Sequence, residues 1–255
     1  AMSAQPAFEV QRFEEIGSTN TYLVEQARSG AGAGLVATAT FQTAGRGRQG
    51  RSWEAPAGSA LMASVLLRPT MAPEEAHVAA SAVALAGRAA VAKLSGLEAS
   101  VKWPNDLVVE GQKLAGILGE VAPDAPGGAP GTIAVVVGIG INLTTEGPPE
   151  ANGTSVHAQL GSAPEAGDLL EAMLDELAPR VAKLDDAEGR AQLMAELEVV
   201  MSTLGTRVRV ERHDGVLEGL ASGLSPEAHL LVVDDDGRAH EVSVGDVVHL
   251  RPAGS

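Results

Sequence analysis

Arg46, Arg48 and Arg51 fall within six residues and alternate with Gly45, Gly47 and Gly50 in the stretch from Gln42 to Trp53. Guanidinium groups are planar, permanently charged donors suited to carboxylate and phosphate oxygens. Glycines let the backbone approach a ligand closely, and backbone N–H groups in such turns bind anions. The rest of the chain makes this cluster stand out. With 18 Lys and Arg against 33 Asp and Glu, the net charge is −15. So acidic a chain repels nucleic acid unless a local basic patch overrides it. Disordered Arg-Gly segments that bind nucleic acid lie in low-complexity surroundings, whereas this one is flanked by apolar strand-like runs. The context favours a structured anion site.

Three further groupings carry chemical potential. In Val101-Lys102-Trp103-Pro104-Asn105-Asp106, Pro104 keeps Trp103 out of helical geometry and displays an amide and a carboxylate at a strand end. Alone, this reads as an ordinary Pro-Asn-Asp turn. Lys113 opens the apolar run Lys113–Leu118 and could direct its charge into a pocket; a solvated lysine after a turn is the commoner case. Gly138-Ile139-Gly140-Ile141-Asn142 places alternate glycines in a β-branched run, so something flat can lie against that backbone. It lacks the spacing and following helix of a dinucleotide fingerprint.

The surrounding elements can be read from pattern. Phe8–Ile16 reads as a strand, followed by a helix capped by Ser18 or Thr19 that runs to about Arg28. Strands are expected at Leu35–Gln42 and Ala60–Leu67, with Thr43–Ser52 a loop between them, mobile until an anion orders it. A long Ala-rich helix begins near Pro73 and ends near Gly96. Short β runs follow at Val101–Trp103, Leu107–Glu110 and Lys113–Val121, and a central strand at Thr132–Leu143. Loops cover Pro123–Gly131 and Thr145–Gly153. Leu169, Leu170, Met173, Leu174, Leu177, Val181 and Leu184 share one helical face, and another helix is expected over Glu188–Met201. Short strands at Arg207–Val210, Val216–Leu220, Leu230–Val233, His240–Val244 and Val247–Leu250 then suggest a small barrel or sandwich. The domains are therefore set at 1–204 and 205–255.

Composition adds bounds. The chain is 45% hydrophobic and only 2% aromatic, so its core must be built from Ala, Val, Leu and Ile. No cysteine is present, which excludes a disulfide scaffold. No signal-like start is visible and no apolar run approaches the roughly 18 residues of a membrane span. A soluble cytoplasmic protein, monomer or homodimer, is expected. The six histidines are scattered, and no metal site is assigned.

Together the motifs resemble the biotin protein ligases. The matched stretches are Gly17-Ser18-Thr19-Asn20, Gln42 to Trp53, Lys102 to Asp106, Lys113 to Leu118, Gly138 to Asn142 and, more loosely, Gly153-Thr154-Ser155. They occur in family order across about two-thirds of the chain. The resemblance implies an α+β fold: a mixed sheet with helices, like class II synthetases, followed by a small SH3-like β-barrel. It implies two reaction steps. Biotin's carboxylate attacks the α-phosphate of ATP, giving biotinyl-5′-AMP and pyrophosphate. A lysine of a biotin carboxyl carrier domain then attacks the mixed anhydride. Mg²⁺ is inferred because ATP carries it.

By that resemblance Arg48, Lys113 and Asp106 are the catalytic residues, Asp106 orienting or deprotonating the acceptor lysine. Ser18, Thr19, Asn20, Gln42, Gly45, Arg46, Arg48, Lys113 and Gly116 would bind biotin. Arg48, Arg51, Trp53, Asn105, Lys113, Gly138, Gly140 and Asn142 would line the nucleotide site. Thr40 stands where many members are acidic, and no role is carried to it. Ala1-Met2 reads as a cloning scar, and only a few residues precede Phe8, where bifunctional members carry a DNA-binding winged helix. A ligase without repressor function or nucleic-acid partner is expected. Two alternatives remain. Lipoate and octanoate enzymes share the fold, but their Arg-Arg and consecutive-glycine signature is absent. A non-catalytic biotin-binding regulator would not need an α-phosphate clamp.

Overall fold

The computed structural model describes residues 7–144, 152–212, 215–243 and 246–249. Most of the loop expected at 145–153 lies outside these residues, as do Val244 and Leu250, the ends of two expected strands.

The N-terminal part forms a seven-stranded sheet. Its strands are β1 (Glu9–Ile16), β2 (Leu35–Gln42), β3 (Ala60–Leu67), β4 (Ser100–Lys102), β5 (Asp106–Val109), β6 (Gln112–Ala122) and β7 (Ala134–Asn142). They lie in the order β1-β2-β3-β7-β6-β5-β4. β1 and β2 run parallel and every other pair antiparallel, so the sheet is mixed as expected. Every residue of β3 and β7 is buried, which is why these strands read as continuous apolar runs and not as alternating ones.

The two faces of the sheet are used differently. One is covered by α2 (Ala76–Ser95), backed by α4 (Ala166–Ala182) and α5 (Ala187–Val200). Alanine on α2 brings the helix close, and Gly87 allows Ile139 of β7 within touching distance. The expected helix start at Pro73 is a single 3₁₀ turn, Pro73–Glu75, and Gly96 closes the far end in left-handed geometry. Pro73–Ser95, 23 residues, is long and apolar enough by length and composition to cross a membrane, its most apolar 18-residue window having a mean hydropathy of 1.3. Here that helix belongs to the core, with 56% of its most apolar window buried.

On the other face α1 (Thr19–Arg28) covers only half of the sheet, packing Leu23 and Ala27 on Leu35, Ala37, Leu66 and Val136. The uncovered half is left for a cavity. A five-residue helix, α3 (Val156–Leu160), was not foreseen; Ser155 caps it by accepting from the Ala158 N–H.

From Arg207 the chain builds a second, five-stranded antiparallel sheet. It comprises β8 (Arg207–Arg212), β9 (Gly215–Leu224), β10 (Leu230–Val233), β11 (Ala239–Val242) and β12 (Asp246–His249), in the order β11-β10-β9-β8-β12. Trp103 joins the two sheets. It is 3% exposed, its backbone N–H donates to Thr203 Oγ1 at 2.9 Å, and its indole N–H donates to the Ala228 carbonyl at 3.0 Å. Replacing it with Phe keeps most of the packing and removes the indole bond. The Ala228 carbonyl is then left unpaired, a loss of about 1–2 kcal/mol. Urea denaturation measures this, and an unchanged midpoint would contradict the joining role.

Candidate active site

The open half of the sheet forms the floor of a cavity of about 440 Å³. Antiparallel pairing sets Gly116 of β6 opposite Gly140 of β7, and Leu118 opposite Gly138. Alternation then turns Gly116, Leu118, Gly138 and Gly140 toward the cavity, while Ile117 and Ile139 face the α2 core. The sequence puts glycine where the floor must be low. A methyl group on Gly138 would lie 2.2 Å from Asn20 Oδ1, and one on Gly140 would lie 2.5 Å from the Trp53 ring.

The roof is the arginine-glycine segment, which is less irregular than a loop. Trp53 N–H donates to the Gly45 carbonyl at 2.9 Å and Gly47 N–H to the Arg51 carbonyl at 2.7 Å. Arg46 and Ser52 pair as an antiparallel bridge. The result is a narrow hairpin whose tip, Arg48–Gly50, turns through positive φ at Gln49 and Gly50. Arg48 reaches across to donate to Asn105 Oδ1 at 3.2 Å. Asn105 is itself fixed, since its Nδ2 donates to the Ile117 carbonyl at 2.7 Å and its carbonyl accepts from the Ile117 N–H at 2.8 Å.

One end of the cavity is polar. Ser18 caps α1 with its side chain, and the Thr19 N–H donates to Gln42 Oε1 at 2.8 Å. Ser64 Oγ lies 2.6 Å from Asn20 Oδ1 and 2.7 Å from Thr19 Oγ1. At the other end Lys113 Nζ is 3.4 Å from Asp106 Oδ1 and 5.5 Å from the centre of the Trp53 ring. Their side chains are 22% and 24% exposed, so the pair is reachable but partly dried. In the cleft on the opposite face of β6, His77 lies near Arg48. Although part of its surface is open, desolvation and then the nearby His229 and Arg48 charges hold its pKa below the usual imidazole value.

Most of the residues singled out in the sequence meet here. Ser18, Thr19, Asn20, Gln42, Arg46, Arg48, Arg51, Trp53, Asn105, Asp106, Lys113, Gly116, Gly138 and Gly140 all line the cavity. Two do not. Gly45 lies behind the roof, where a side chain would meet the Trp53 carbonyl at 2.2 Å. Asn142 is fully buried and donates to the Thr154 carbonyl at 2.9 Å and the Lys113 carbonyl at 3.4 Å. Its place is beneath Lys113, as support. Gly116 also differs from expectation: its open side is filled by Trp53, 3.0 Å from where a Cβ would stand. Arg46 points to a carboxylate, Glu120 Oε1, at 2.8 Å. Sequence reasoning missed Glu120 and Ser64, lone polar residues in apolar strands. It also missed Glu227, His229 and Glu241, whose ligand-type atoms lie within 4.8 Å of one another on the second sheet, outside the cavity lining.

Because the indole lies against Gly140 and Gly116, Gly140→Ala must displace Trp53. Overpacking of this kind costs about 1–3 kcal/mol. A lower melting temperature together with a shifted tryptophan emission is the expected outcome. An unchanged spectrum would show that Trp53 does not rest on the floor.

Residues 13–142 match the Biotin/lipoate A/B protein ligase family, and residues 203–250 match the Biotin protein ligase C terminal domain. The chain is 38% identical over 245 residues to a biotin--[acetyl-CoA-carboxylase] ligase of Mycobacterium tuberculosis, covering 93% of this chain and 87% of that one. It is 30% identical to the Escherichia coli bifunctional ligase/repressor BirA, over 86% of this chain and 68% of that one. The fold superposes on a biotin protein ligase from Aquifex aeolicus, solved with biotin and ATP, with a TM-score of 0.79. The two are 26% identical, and the match covers 96% of this chain and 99% of that one.

Proposed function

This chain belongs to the biotin protein ligase family and activates biotin with ATP before passing it to a protein lysine; on that premise we propose which side chains perform each part. The observation that carries the assignment is the direction of the protons at the polar end. Asn20 Nδ2 donates to Glu120 Oε2 at 2.8 Å and to the Leu118 carbonyl at 3.2 Å, so Asn20 Oδ1 is turned toward Ser64. That oxygen only accepts, so it takes the single Ser64 proton. Thr19 then gives its own proton to Ser64 or to Gln42 Oε1, which lies 3.1 Å away, and keeps lone pairs for a ligand N–H. Gln42 Oε1 is occupied by the Thr19 N–H, which leaves its Nε2 as a donor, and the Ser18 hydroxyl proton is a second donor.

Donors beside an acceptor complement a cyclic urea, whose carbonyl is flanked by N–H groups. An octanoyl or lipoyl tail offers nothing to these groups and would leave them buried and unpaired, which sites of this kind reject strongly. The biotin carboxylate then extends along the floor toward Lys113 and Arg48. Two anions must meet there, and fixed cations offset their repulsion and the charge that grows on phosphorus. Trp53, Asn105 and Gly140 form the nucleotide side, Arg51 stands at its rim, and Asn142 and Gly45 support it from behind; Gly138, expected there too, lies under Asn20 and Ser64 at the polar end. Among the described lining residues Asp106 is the one carboxylate, and it faces Lys113. The cavity therefore suits MgATP as a substrate whose cation rides on its phosphates, not a protein-caged metal.

Transfer needs a neutral lysine. At its reference pKa of about 10.4 an acceptor lysine is almost wholly protonated at neutral pH. Asp106 is placed to receive that proton or orient the amine once the adenylate occupies Lys113. We assign this chemistry to residues 1–204, with 205–255 as a closing unit, and take a biotin carboxyl carrier domain as the acceptor. The test is to incubate enzyme, biotin and MgATP with a purified carrier domain and measure its intact mass. One biotinyl group on a single lysine is expected, absent when that lysine is replaced by arginine. An unmodified carrier in the presence of formed adenylate would overturn the acceptor assignment.

A further inference from the structure

Glu120 takes part in no step described above, yet both of its oxygens are engaged at the cavity. It follows Gly116 and Leu118 on the same face of β6, and its side chain is 21% exposed. Oε1 holds Arg46 of the roof and Oε2 holds Asn20 at the polar end of the cavity, each at 2.8 Å. A carboxylate accepts from both and donates to neither. That property, together with the Leu118 carbonyl that Asn20 Nδ2 also reaches at 3.2 Å, fixes the side chains beyond it. Asn20 must present its amide nitrogen to Glu120, and hence its oxygen to Ser64. Ser64 must give its proton to Asn20, so Thr19 takes none from Ser64 and gives its own to Ser64 or to Gln42 Oε1.

We propose that Glu120 is a positioning residue for the biotin head: through Asn20 and Ser64 it sets the proton direction that makes Thr19 an acceptor, while it holds Arg46 of the roof in place. The proposal rests on the reading of the polar end as the ureido site. It also gives Arg46 a role other than phosphate clamp, since its charge is met at Glu120.

Glu120→Gln separates this role from a merely structural one. Arg46 requires an acceptor, so the glutamine turns its oxygen to Arg46 and its amide N–H to Asn20. Asn20 then flips and gives up its bond to the Leu118 carbonyl, Ser64 donates to Thr19, Thr19 donates to Gln42 Oε1, and the Thr19 lone pair aimed at the ligand is taken. The probes are biotin and two cyclic carbamates, in each of which one ureido N–H is replaced by oxygen. Direct binding is measured by calorimetry, so no turnover is needed. The parent should bind biotin at least about tenfold more tightly than the carbamate that lacks the Thr19 partner. Glu120→Gln should lose affinity for biotin and bind the two within about threefold of each other. Glu120→Asp keeps two acceptors and should keep the discrimination even if all affinities fall. A Glu120→Gln protein that still discriminates as the parent does would overturn the proposal. If the glutamine variant does not fold by circular dichroism, loss of discrimination in a folded Glu120→Asp protein would overturn it equally. A parent that fails to distinguish biotin from either carbamate would instead sink the ureido reading itself.

Discussion

Lys113→Ala is expected to slow formation of biotinyl-5′-AMP by roughly 10²–10³-fold, the usual cost of removing one preorganised charge from a polar transition state. The geometry explains why Arg46 and Arg48 do not take its place. Arg46 is held at Glu120, and Arg48 is anchored at Asn105 across the cavity. Lys113 stands at the start of β6 against Trp53, with Asp106 as its ion-pair partner. Removing it leaves the Asp106 carboxylate facing two incoming anions, so repulsion is added as attraction is lost. Single-turnover formation of adenylate, followed by quenched-flow chromatography, gives the rate. A fall of less than about fivefold would mean that the charge on phosphorus is met elsewhere.

Arg48→Gly should act on a different step. The adenylate is a reactive anhydride, and the enzyme must shield it until the acceptor docks. Arg48 links the tip of the roof hairpin to Asn105, so it closes the cavity as well as offering charge. Glycine removes the link and loosens a tip that already turns through positive φ at Gln49 and Gly50. Adenylate formation should fall only about tenfold, since Lys113 remains, while adenylate dissociation rises by at least about tenfold. Escaped adenylate then reacts with any exposed lysine, so a bystander protein becomes biotinylated. Filter-bound adenylate and bystander labelling are read side by side. A variant that retains adenylate as firmly as the parent shows that Arg48 does not close the roof.

How far the sequence carried depends on which signal each feature left. Strands β2, β3 and β10 were legible to the residue, because apolar runs bounded by turn residues have few other readings. The five-residue α3 was not, since one turn and a half leaves no periodicity. The arginine-glycine segment looked like a loop because its hydrogen bonds use backbone, which side-chain pattern does not report. At the site, charged and glycine residues announced themselves by type. Ser64 and Glu120 did not, since a single polar residue in a buried strand is as readily read as tolerated noise. The signal was there in the alternation: Gly116, Leu118 and Glu120 share one face, and the two residues beside Glu120 have the opposite one. Trp103 shows the reverse case. Its motif pointed to chemistry, yet the indole itself ties the two sheets together while its neighbours Asn105 and Asp106 face the cavity.

The central claim is that one end of the cavity recognises a cyclic urea and the other activates the attached carboxylate. Exchange of labelled pyrophosphate into ATP, run in parallel with biotin, lipoate and octanoate, addresses both ends in one measurement. Biotin should support rapid exchange, with lipoate and octanoate at background, and Lys113→Ala should remove the signal. Equal exchange with octanoate, or none with biotin, would contradict the account.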